Sequence, residues 1–175
     1  MLTFALENTK RGPNVPSFFQ MTELNNVLES FIQQQLLETD LFLVRLAISA
    51  DQKIIRILVD GDLGINIDQC TKLSRATGVF LEENDLIQHA YTLEVSSPGV
   101  SEPLAFGRQY HKHIGRGLCV VLTSKEKIKG TLKQVDEDGF VLEITTKEKG
   151  KKAVTTEQKF LFLEPQEVKV EVSFK

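Results

Sequence analysis

The sequence predicts an α+β chain in which an α-β-β-α-β unit with a three-stranded sheet precedes a small β-barrel. Three observations predict this. Apolar residues recur with helical spacing at Leu24, Val27, Leu28, Phe31, Ile32 and Leu36, the stripe of an amphipathic helix. From Leu118 onward, short runs alternate apolar and polar residues with almost no helical pattern between them, as in a small all-β unit. The charge balance also changes sign mid-chain. Residues 21–103 hold thirteen acids against five bases, and residues 104–175 hold ten acids against fourteen bases. The expected organisation is a flexible tail at 1–20, an α/β domain at 21–100, a linker at 101–103 and a barrel at 104–175.

The elements follow in order. Residues 1–20 contain Gly12-Pro13 and Pro16 and little periodicity. Thr22 is the expected N-cap of the first helix. Leu41–Ile48 and Ile54–Val59 read as strands about an Asp51-Gln52-Lys53 turn, and a loop runs from Asp60 to Asn66. Asp68 is the expected N-cap of a second helix with a buried stripe of Cys70, Leu73, Thr77 and Phe80. Tyr91, Leu93 and Val95 alternate with Thr92, Glu94 and Ser96 as a third strand. That strand ends in Ser96-Ser97-Pro98-Gly99, where the serines bond nearby backbone, proline fixes φ and glycine admits positive φ. A three-stranded sheet with both helices on one face would bury both stripes in one pair of layers. Pattern alone leaves the Ser96–Pro103 stretch open between an interdomain linker and a surface turn. In the second half, strands are expected at Leu118–Leu122, Ile128–Leu132, Phe140–Ile144, Phe160–Leu163 and Val168–Val172, with Asp138-Gly139 as a hairpin turn.

Composition excludes several classes. In 175 residues, 26% are charged and 41% hydrophobic, the balance of an ordinary globular protein. No apolar run approaches the roughly 18 residues of a membrane span. The N-terminus does not follow a secretory signal, because Lys10 and Arg11 come after its short apolar piece. Cys70 and Cys119 have no metal-type spacing and read as reduced, buried residues of a cytoplasmic protein.

The candidate chemical motifs are incomplete. Asp60, Asp62 and Asp68 surround a glycine-bearing loop, but Gly64 and Thr71 stand where a calcium loop needs its fifth and twelfth ligands. These acids are assigned to structure, with Asp60 accepting loop N–H groups and Gly64 permitting a tight turn. His111-x-His113 near Cys119 lacks the three or four ligands of a zinc site. Gly61-Asp62-Leu63-Gly64 has the spacing of a nucleic-acid clamp, but its carboxylates repel phosphate. No nucleophile elbow, P-loop or dinucleotide fingerprint occurs. No catalytic residue, metal or cofactor is therefore assigned. Lys125, Lys127, Lys129 and Lys133, with Lys147, Lys149, Lys151 and Lys152, form either an electrostatic footprint for RNA phosphates or a lysine-protected sheet edge. Phe106, Tyr110 and Phe140 are the aromatic candidates for base stacking, with Phe140 expected in the core. Arg56, Arg108, Lys112 and Arg116 complete the contact candidates.

GINIDQC at Gly64–Cys70 and LEVSSPGVSEPL at Leu93–Leu104 resemble the RimP family of bacterial ribosome maturation factors, from near Met21 to Lys175. The resemblance is strongest in IRILVDGDLGINIDQC and LEVSSPG. It matches Asp60, Gly64, Ile65, Asn66, Asp68 and Cys70 as fold residues, and Ser96, Ser97, Pro98 and Gly99 as the motif ending the third strand. Val120-x-Leu122, Gly130-x-Leu132, Val135-Asp136 and Phe140-x-Leu142 resemble the first motif of Sm-like barrels, which that family carries C-terminally. The resemblance implies a non-enzymatic cytoplasmic protein, monomeric and without a membrane partner. It would bind the free small ribosomal subunit late in maturation, near the central pseudoknot of its rRNA, and assist a basic ribosomal protein near the decoding centre. The chain departs from the family in two places. Ser101-Glu102-Pro103-Leu104 stands where Asp-Arg-Pro-Leu is common, so an arginine able to pair across the junction is replaced by an acid. Phe140 stands where ring-forming Sm proteins have asparagine. The rival readings are an Sm-like oligomeric RNA chaperone and a hydrolase with a metal at the Asp60–Asp68 loop.

Overall fold

Helix α1 (Ser17–Leu36) begins inside the stretch expected as tail, in a computed structural model that describes residues 17–146 and 153–171. Thr22 lies within α1 and is not its cap, because the apolar spacing extends back to half-buried Met21. Leu28 and Ile32 are fully buried on its inner face, each contributing about 1.5–3 kcal/mol relative to exposure. Strands β1 (Leu41–Ile48) and β2 (Ile54–Gly61) pair antiparallel, and β3 (Thr92–Ser96) pairs parallel to β2. The sheet order is β1-β2-β3. The parallel β2–β3 pair requires a crossover, and helix α2 (Ile67–Glu83) supplies it.

Both helices cover one face of this sheet. Leu28, Ile32, Leu73 and Leu81 share a core with Ile55, Ile57 and Val59. Between the helices, the Phe31 and Phe80 rings stack with centroids 4.0 Å apart. The start of α2 corrects the expected cap. Asn66, not Asp68, is the N-cap: its Oδ1 accepts from Gln69 N at 2.9 Å, and Gln69 Oε1 accepts from Asn66 N at 2.9 Å. This reciprocal capping box satisfies two helix-end donors, while Asp68 in the first turn meets the positive end of the helix dipole. The buried stripe is Leu73, Thr77 and Leu81, with Cys70 and Phe80 half-buried. Thr77 is tolerated in the core because its hydroxyl donates to Leu73 O at 2.8 Å.

The second half is a five-stranded antiparallel sheet of β4 (Gly117–Leu122), β5 (Lys127–Val135), β6 (Gly139–Thr146), β7 (Val154–Leu161) and β8 (Pro165–Val170). Its order is β7-β6-β5-β4-β8, so β7 and β8 are edges and the described strands form an open sheet, not a closed barrel. Strand β7 starts earlier than expected, and Phe162 and Leu163 lie in the turn after it. Strand β8 likewise starts earlier, at Pro165, and Val172 lies outside the described residues. The Asp138-Gly139 turn is as expected, with Asp136 Oδ1 accepting from the backbone of Asp138 and Gly139 at 3.1 and 2.8 Å. Leu118, Val120, Leu132, Phe140, Leu142 and Phe160 form the core. Between the halves, Glu102 N donates to Gly99 O at 2.9 Å and closes a turn, and Leu104 N donates to Val168 O at 2.8 Å. Then comes an element that the pattern did not predict, the short helix α3 (Gly107–Tyr110), which runs into a 3₁₀ turn at His111–His113.

Candidate functional site at the junction of the two halves

The loop after β2 and the helix α3 meet in a polar constellation. Asp60 is the penultimate residue of β2 and is 2% exposed. Its Oδ1 accepts from Gly61 N at 2.9 Å and from the Lys112 ammonium, and its Oδ2 accepts from Gln109 Nε2 at 3.0 Å. Gln109 is buried too, and its Oε1 accepts from Ala105 N at 2.8 Å and Phe106 N at 3.1 Å. One side chain therefore caps α3 and joins it to Asp60. Every member has partners, the condition under which a buried polar network is stable. Removing one member would leave the others desolvated and unpaired.

Arg108 makes the outer part of the junction. It donates to Asp62 in a two-pronged pair at 2.9 and 2.7 Å, and to Asp40 O at 3.4 Å. Its guanidinium lies 4.1 Å from the Phe42 ring centroid, and Phe106 meets Phe42 edge-on at 6.2 Å. Arginine suits such a site because its planar fork bonds a carboxylate and lies over a ring at once. The hydrogen bond from Arg108 holds the Asp62 carboxyl below the usual carboxylate range. Gly64, at φ 91°, closes the tight turn after Asp62, with its N–H bonded to Gly61 O at 2.9 Å. Glu102, the acid in place of the usual arginine, pairs with Arg45 of β1 at 3.5 Å. His113 is buried beside these groups. Burial first, then the charges of Arg116 and Lys112, push its imidazole below the ordinary value.

The remaining candidates are dispersed. Arg56 pairs with Glu94 across β2 and β3 at 2.7 Å. Arg116 Nη1 lies 3.2 Å from His113 Nδ1. Lys147, Lys149, Lys151 and Lys152 lie outside the described residues. Of the strand lysines, Lys129 pairs with Glu171 and Lys133 with Glu143, at 2.6 and 3.1 Å. Lys125 and Lys127 make no ion pair among the described residues. Tyr110 is not available for stacking. It is buried against Phe140 and Phe162 at 4.9 and 5.1 Å, and burial pushes its hydroxyl far up. Phe140 is in the core as expected, and Phe106 alone of the three is partly open. Cys70 and Cys119 are free and half-buried. The described residues contain no cluster of three metal-ligating side chains, and no described helix is long and apolar enough to cross a membrane. Sequence reasoning missed Gln109. Its signal was its place three residues after Phe106, the spacing of a capping glutamine, but with no polar N-cap to mark it.

The junction thus joins an acidic half to a basic half through paired and mostly buried side chains. Comparison with known proteins agrees with the motifs. Residues 28–101 match the model of the RimP N-terminal domain. The ribosome maturation factor RimP of Cytophaga hutchinsonii is 38% identical over 126 residues, covering 70% of this chain and 74% of that protein. The factor of the same name from Nitratidesulfovibrio vulgaris is 38% identical over 96 residues, covering 51% of this chain and 56% of that protein. With that identity along most of both chains, and with the family's N-terminal α/β arrangement in place, the chain belongs to the RimP family of ribosome maturation factors.

Proposed function

We propose that the chain is a non-catalytic maturation factor that binds the free small ribosomal subunit, its acidic α/β half meeting a basic ribosomal protein and its β half meeting rRNA. What carries the reading is the division of charge across a buried junction. Residues 21–103 carry net −8 and residues 104–175 net +4, and the Asp60, Gln109 and Lys112 network holds the two in one orientation. A protein so built touches two partners at a set spacing. The rRNA side would use Arg116, Lys125, Lys127 and the run Lys147–Lys152. Four other lysines of this half already have acidic partners, Lys129, Lys133, Lys159 and Lys169. Such contacts track phosphates and read no particular base. We take residues 21–100 and 104–175 as two domains, the second related to Sm-like barrels although its described strands leave the sheet open, and the protein as a cytoplasmic monomer.

The mechanism is a shift of populations. A factor that binds the immature subunit a hundredfold more tightly than the mature one stabilises it by about 2.7 kcal/mol and is released when the mature surface forms. The test is co-sedimentation with free small subunits, large subunits and assembled ribosomes across a salt series. Selective binding to free small subunits is expected, with a salt slope that counts the phosphates met. Equal binding to all three would reduce the reading to unspecific electrostatics. Charge reversal at Lys147, Lys149, Lys151 and Lys152 should weaken binding and flatten the slope. An unchanged affinity would remove that loop from the rRNA contact.

A further inference from the structure

Strand β3 is an edge of its sheet. Thr92 N donates to Lys53 O of the strand beside it at 2.7 Å, and Thr92, Glu94 and Ser96 stand in register with β2. Alternation along a strand then turns the N–H and C=O groups of Leu93 and Val95 to the other side, where no strand pairs with them among the described residues. That open edge faces a groove of about 810 Å³ between β3 and α2. Its floor is apolar, formed by Ile65, Cys70, Leu93 and Val95, and Ile67 stands at its lip, 83% exposed. Free strand groups beside a part-apolar trough are the parts used when an extended polypeptide joins a sheet.

We infer that this edge and groove take an extended, basic polypeptide segment as an added strand beside β3. The inference rests on the reading that the α/β half meets a basic protein, and names the surface that does so. Charge selects the occupant. Within the −8 of this half, Glu82 and Glu83 close α2 with no ion pair among the described residues, at the negative end of the helix dipole. They lie beside the start of β3: burial, then the Glu82 carboxylate, raises the Tyr91 hydroxyl. The groove's own carboxylate, Glu94, is held by Arg56. Arg75 on the wall has no acidic partner among the described residues and is free to donate to carbonyls of the incoming chain. A single-stranded RNA fits poorly, because no aromatic side chain lines the groove to stack a base.

Hydrogen exchange of the full chain, free and saturated with free small subunits, tests this over residues 91–97. The Leu93 and Val95 amides should exchange freely alone and slow at least tenfold in the complex. Ile67→Asp keeps the helix start, where an acid is favoured, and should weaken binding at least tenfold with an unchanged melting temperature. Val95→Pro deletes an outward N–H and no bond to β2; it should weaken binding by a similar factor beyond any fall in melting temperature from the lost core contact of Val95. Reversing charge with Glu82→Lys and Glu83→Lys should also weaken binding. Binding without protection at 91–97 overturns this inference and leaves the maturation-factor reading intact. Protection of the same amides by naked small-subunit rRNA overturns it in favour of RNA. No binding to free small subunits at all overturns both.

Discussion

Replacing Asp60 with alanine tests whether the junction holds the two halves together. The carboxylate accepts three hydrogen bonds, from Gly61 N, Gln109 Nε2 and the Lys112 ammonium. Its loss leaves Lys112 without a counter-charge, and removing one partner of a fully buried pair costs about 3–5 kcal/mol. The Lys112 side chain is 21% exposed, so solvent screening lowers that share to about 2–3 kcal/mol. Gln109, 1% exposed, loses the acceptor of its amide at about 1–2 kcal/mol. Allowing for overlap between the two terms, Asp60→Ala should cost about 3–4 kcal/mol. In urea that moves the midpoint by roughly 1–2 M. Asp60→Asn keeps one acceptor and loses the charge, and should cost about half as much. A cycle with Lys112→Met should show coupling above about 1 kcal/mol. An Asp60→Ala variant that unfolds within about 0.5 kcal/mol of the parent, or an alanine and an asparagine variant that behave alike, would show that the Asp60 carboxylate does not hold the junction.

Further expectations follow from the same geometry. Arg108→Lys keeps the charge but loses the forked bonds and the Phe42 contact; with both partners about half exposed, the loss should stay below about 1 kcal/mol in urea unfolding. Gly139→Ala would place a Cβ 2.1 Å from Phe160 O, so β6 and β7 must part there, and a loss above about 2 kcal/mol is expected. Phe140→Ala empties a fully buried ring site against Tyr110 and Phe160 and should cost about 3–5 kcal/mol. His113 has a folded-state pKa below its ordinary 6.5, so the unfolded chain binds its proton more readily. Its stabilising share is complete above that pH and is lost as pH falls through 6.5 toward the folded value. His113→Gln should flatten the stability profile in that window and leave it unchanged above.

Local physics made most of the fold legible. Helical spacing at Leu24–Leu36 and alternation in the strands survive translation into structure because one buried face imposes the period. The SSPG stop and the Asp138-Gly139 turn were readable because proline, glycine and short polar side chains act within a few residues. The start of α2 shows where local reading stops. Asn66, Asp68 and the other short polar residues there are all acceptable caps, and the reciprocal bond to Gln69 made the choice. The sequence also placed Asp60, Gly64 and the family motifs. Only the tertiary structure decided what Asp60 is for. Its partners lie 49 and 52 residues away, on a helix and a 3₁₀ turn too short to leave a periodic signature. The same holds for Arg108, Glu102 and the strand lysines. A charge in sequence looks free, and whether it meets RNA, a protein or an acid of its own chain depends on which segments the fold brings within hydrogen-bond reach.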